Sequence, residues 1–83
     1  MVFRMKNLFW KRLLHIYIEE QNNLEAELIK LKDEIQKADI DEGEKERRIA
    51  VLNKILESDR KTEVLLNSTA EEVARALGDL CQI

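Results

Sequence analysis

His15 is the single histidine of this 83-residue chain and Cys81 its single cysteine, which bounds the chemistry the side chains can perform. A structural zinc site takes about four cysteine or histidine ligands, so one copy of the chain cannot supply it. A general base needs a nucleophile or a second acid held within hydrogen-bond reach in a cleft. The acids that stand closest in sequence are Glu19–Glu20 and Glu71–Glu72. Consecutive residues on a helix point about 100° apart, so neither pair is set up to share a proton or a metal ion. The sequence reads as non-enzymatic, with no metal, cofactor or small-molecule substrate expected. A lone cysteine permits no intrachain disulfide and fits a reducing, cytoplasmic setting.

The remaining signal is cationic and apolar. Residues 1–18 carry Arg4, Lys6, Lys11 and Arg12 and no acid, whereas residues 19–46 carry eleven acids against four bases. Residues 47–83 hold six of each, which leaves a net charge of −3. That overall acidity disfavours nucleic acid, whose phosphates require a dense basic face. All the aromatic residues (Phe3, Phe9, Trp10, Tyr17) fall in the first seventeen positions. On a helix, Arg4, Lys11 and His15 share one face with Arg12 at its edge. Opposite them lies a broad apolar arc of Phe3, Phe9, Trp10, Leu13, Leu14, Ile16 and Tyr17, wider than one neighbouring helix can cover. Phe3, Arg4, Phe9, Trp10, Lys11, Arg12 and His15 are therefore the candidate partner-binding residues. A protein partner fits them first, and an anionic membrane or nucleic acid is the alternative. Lys11 and Arg12 cut the apolar stretch short of a signal-peptide core, and no run of about twenty apolar residues could span a bilayer.

These residues must be positioned by helices. Proline is absent and glycine occurs only at Gly43 and Gly78, which favours an all-α chain with few breaks. Phe3, Asn7, Trp10, Leu14, Tyr17, Gln21, Leu24, Leu28, Leu31, Ile35 and Ala38 recur at alternating spacings of three and four. That periodicity predicts one coiled-coil-like helix over about residues 3–39, roughly 55 Å long. A turn over about 40–43 follows, then a second helix over about 42–66. Ser68 with Glu71 three residues later fits a capping box opening a short third helix over about 69–80. With the turn centred near residue 41, the polar stretch 19–23 faces the polar stretch 58–63, setting Glu19 and Glu20 opposite Arg60 and Lys61. The expected fold is a long antiparallel helical hairpin with a short third C-terminal helix, dimerising into a helical bundle. Leu14, Tyr17, Gln21, Leu24 and Leu28 would line its seam, with Gln21 as a buried polar residue that fixes register.

Ser68 to Gly78 also resembles the opening helix and turn glycine of a helix-turn-helix motif. The five residues after Gly78 hold no recognition helix to enter a major groove. The functional expectation is a non-enzymatic interaction or regulatory protein that self-associates and binds or inhibits a partner through its basic, apolar N-terminal helix. A peripheral membrane- or nucleic-acid-binding protein and a structural scaffold subunit are the alternatives.

Overall fold

A computed structural model describes residues 9–81, with side chains through residue 78. Among these residues the chain is all-helical. It forms α1 (Phe9–Glu19), α2 (Leu24–Lys37), α3 (Glu42–Glu57) and α4 (Lys61–Cys81), with a 3-10 turn at Gln21–Asn23 between α1 and α2.

Among the described residues, the predicted helix over 3–39 is thus two helices. In a continuous helix Arg12 and Glu34 would stand roughly 33 Å apart. Instead the Arg12 guanidinium donates to both carboxylate oxygens of Glu34, at 3.0 and 3.2 Å, so α2 returns alongside α1. The break falls in the stretch Glu20-Gln21-Asn22-Asn23, which offers no apolar residue to bury and two asparagines of low helix propensity. Gln21 is exposed there rather than buried in a seam. Its side-chain amide donates to the Tyr17 carbonyl, satisfying an acceptor that the end of α1 leaves open.

The second arm is divided in a different place from the one the capping box suggests. α3 stops at Glu57, where Ser58 turns extended and its Oγ accepts from the Arg60 N–H at 2.9 Å. α4 then runs unbroken through Ser68 and Thr69, both buried. The Thr69 hydroxyl donates to the Leu65 carbonyl one turn back, at 2.8 Å. A hydroxyl satisfied in that way can sit inside a helix instead of capping one. Arg60 pairs with Glu63 at 3.5 Å and Lys61 donates to the Ser58 carbonyl, so these cations serve their own turn rather than Glu19 and Glu20.

The turn between α2 and α3 is close to its predicted place. Ala38 is extended and ends α2. Asp41 caps α3 by accepting from the Glu44 N–H at 3.2 Å, a common way to satisfy a helix N-terminus. Gly43 keeps that cap open, since a Cβ there would stand 3.1 Å from the Asp41 carboxylate.

Each helix runs back along its predecessor, and α1 also packs on α4, so the helices form a ring in chain order. The overall extents are 37 × 25 × 19 Å, well short of a ~55 Å rod. The core combines Phe9, Leu13 and Ile16 of α1, Leu28, Leu31 and Ile35 of α2, Leu52 and Ile55 of α3, and Leu65 of α4. Burying each such side chain contributes about 1.5–3 kcal/mol. Two straight arms would leave open flanks, whereas doubling them back surrounds the same side chains with four helices.

Candidate interaction face

α1 offers two apolar stripes one residue apart, and the fold buries the one that the 3–4 alternation passes over. Phe9, Leu13 and Ile16 go inside, whereas Trp10, Leu14 and Tyr17 remain half-buried. The physical reason is chemical. Trp and Tyr carry a polar N–H or O–H that must reach a partner or water, while Phe, Leu and Ile are wholly hydrocarbon. Once the chain breaks at residue 20, nothing forces α1 to keep the helical phase of α2. Leu24 is partly buried and Leu28 fully buried on the stripe that α2 does retain.

This choice redistributes the predicted binding residues. Phe3 and Arg4 lie outside the described residues. Phe9 is only 3% exposed and belongs to the core rather than to a docking surface. Arg12 is committed to Glu34, which reduces the basic face. Trp10, Lys11 and His15 do stay together: with Leu14, Ile18 and Glu19 they line one shallow groove along the outside of α1. The Lys11 ammonium lies 5.7 Å from the Trp10 ring centroid, a cation–π distance. His15 stands 4.0 Å from Glu20.

Two residues absent from the predicted set extend the surface. Ile18 is 62% exposed and Leu66 of α4 is 43% exposed. The Thr62 hydroxyl reaches the Gln21 side-chain oxygen at 3.5 Å. One turn back from Gln21 and one turn on from Thr62 therefore bring Tyr17, Ile18 and Leu66 to one level. Ile29 is also exposed, but it stands on α2 next to Lys30 and away from this groove. Ile18 could have been read from the sequence, since Trp10, Leu14 and Ile18 are spaced by four. Leu66 could not, because its relevance depends on which side of α4 meets α1.

Opposite this face the bundle buries charge. Glu44, Arg47 and Arg48 of α3 and Glu72 of α4 form one ionic cluster. Arg47 bonds both Glu44 and Glu72, one of the latter contacts at 3.1 Å, and Arg48 bonds Glu44 at 3.2 Å. The Arg48 guanidinium also stacks 5.0 Å from the Phe9 ring centroid, which ties α1 to the cluster. A cavity of about 70 Å³ lies beside it, lined in part by Phe9, Arg12, Ile35 and Arg48. The clue in the sequence was Arg48 on the same stripe as Leu52 and Ile55, an arginine at an apolar position.

The Arg47 hydrogen bond holds the Glu44 carboxyl below its ordinary value of 4.5, against the opposing effect of burial, and the charges of Arg47 and Arg48 add to it. Burial pushes Arg48 down. It acts the same way on Arg47, but there the hydrogen bonds to Glu44 and Glu72 outweigh it and raise the pKa. A carboxyl with a lowered folded-state pKa stabilises the fold fully above its unfolded value, and that contribution fades as pH falls through the folded value. Glu44→Gln is therefore expected to be less stable than the parent near neutral pH. The two urea midpoints should converge in acid, below the ordinary carboxylate range.

Among the described residues no group of three or more His, Cys, Asp or Glu could hold a metal ion, and no helix is long and apolar enough to cross a membrane. No protein family, curated protein or solved structure matches the chain.

Proposed function

We propose that this chain is a non-enzymatic helical interaction module of regulatory type, cytoplasmic, which docks on protein through the outer face of α1 and the flank of α4. The observation that carries this reading is the run of half-buried Trp10 and Leu14 with exposed Ile18, and exposed Leu66 at the level of Ile18, on the outside of a core that the described residues already fill. Scattered exposed apolar residues are ordinary, but a contiguous strip rimmed by charge marks interaction sites. Contacts of Gln21 with Thr62 and of Lys45 with the Gln36 carbonyl are those that a turn near residue 41 would make, and they support a hairpin doubled back on itself. With Arg12 tied to Glu34, the membrane or nucleic-acid alternative loses one of its cations, and protein is the favoured partner class.

A photoreactive side chain placed at Ile18, with Ile29 as the exposed control on another helix, tests the proposal in cells that express the chain. A discrete adduct from position 18 and none from position 29 is expected. No adduct from position 18, or equal labelling from both positions, would overturn it.

A further inference from the structure

We infer that the occupant of the α1 groove is a second copy of the same helix, packed antiparallel about a two-fold axis at the level of His15. This rests on the interaction-module reading above and names its partner. The outer face of α1 carries opposite charges at its two ends: Lys11 lies near its start and Glu19 near its end, both exposed, with the apolar Leu14 and Ile18 between them on the groove. An antiparallel copy sets Lys11 of each chain beside Glu19 of the other, so one isologous contact makes two opposite-charge pairs. A parallel copy would instead set Lys11 against Lys11 and Glu19 against Glu19.

The apolar content fits the same geometry. Leu14 lies beside the axis and Ile18 about one turn from it, close enough to meet across the contact, and Trp10 closes the rim at both ends. Lys11 is held on this side by its position over the Trp10 ring. Leu66 stands level with Ile18 on the adjoining helix, where it widens the contact beyond a single helix. The face is short. The eleven residues of α1 span about 16 Å, and a contact of that length buries less than the roughly 1,200 Å² typical of tight complexes. A contact of this size makes the dimer sensitive to protein concentration.

Sedimentation equilibrium on the full chain tests this through charge reversal. Lys11→Glu and Glu19→Lys should each weaken the dimer about tenfold, since every reversal creates two like-charge contacts. The double variant K11E/E19K should return to within about threefold of the parent. That rescue is possible only in the antiparallel orientation. Ile18→Glu should leave a monomer, with far-UV circular dichroism showing its helix content unchanged. A parent chain that stays monomeric at all concentrations overturns the inference, as does a dimer that neither reversal weakens. If the purified chain is monomeric and position 18 still cross-links to a different protein in cells, this inference fails while the interaction-module reading stands. Absence of both the dimer and the adduct overturns the two together.

Discussion

Truncating Leu13 to alanine is expected to destabilise the chain by about 3 kcal/mol, whereas the same change at Leu14 costs about 1 kcal/mol or less. Leu13 is fully buried and Leu14 only partly so. Removing the Leu13 isobutyl group leaves a cavity among Phe9, Ile16 and the facing helices that the surrounding side chains fill incompletely. Leu14 borders water, which occupies the vacated space at little cost. Small domains have unfolding free energies of about 5–15 kcal/mol, so Leu13→Ala removes a large share and Leu14→Ala a small one. Urea unfolding of both variants, with unchanged slopes, checks the ordering. Equal losses, or a larger loss at Leu14, would mean that α1 buries the stripe of Trp10, Leu14 and Tyr17 instead. The contrast is thus a solution test of helical phase.

Arg47→Met is expected to cost about 2 kcal/mol by stranding Glu72, whose side chain is 8% exposed, without its guanidinium partner. The cost is below that of a fully buried ion pair because Arg47 keeps about a quarter of its side-chain exposure. Desolvating two charges is itself expensive, so converting both residues to apolar ones removes the penalty along with the attraction. The double variant R47M/E72M is accordingly expected to recover to within about 1 kcal/mol of the parent. Thermal or urea unfolding of the two single variants and the double completes the cycle. A double variant that loses as much as the two singles combined would show that the cluster stabilises through something other than the pair. Arg47→Met also removes the Arg47 contact with Glu44, which keeps Arg48 as a partner at 3.2 Å; that loss is common to the single and the double variant, so the coupling term of the cycle reads the contact between α3 and α4.

The helical class of the chain was legible because apolar side chains recur at three and four and because nothing in the composition supports strands. Leu28, Leu31, Ile35, Leu52 and Ile55 are buried where that spacing puts them. The polar stretches 19–23 and 58–63 were equally visible, but their meaning was not. Acids, amides and a serine suit the wet face of a continuous helix as well as a break in one. The usual punctuation was misleading: both glycines lie inside helices, Gly43 in the first turn of α3 and Gly78 in α4, and both polar breaks lack glycine and proline. What decides between a rod and a doubled chain is the area buried when α1 folds onto α2, a tertiary quantity that no local window contains. The shift of the α1 core from Leu14 to Leu13 follows from the same event. Within the candidate face, the grouping of Trp10, Lys11, Leu14 and His15 was readable because a single helix holds it. The Arg12–Glu34 pair and the part played by Leu66 span a break or join two helices, and so they were not.

Because α1 and α4 run antiparallel as neighbours, the start of α1 and the end of α4 emerge at one pole of the bundle. The turn 38–41 lies at that pole too, and both polar breaks lie at the other. The order in which the helices are encoded is therefore not dictated by how they pack. A short linker from the end of α4 to the start of α1, with new termini opened at 58–60, would encode the same ring in the order α4, α1, α2, α3. The seam between α1 and α4 closes the largest loop in the native chain. In such a permutant it would become a local hairpin, and the seam between α3 and α4 would become the long-range contact.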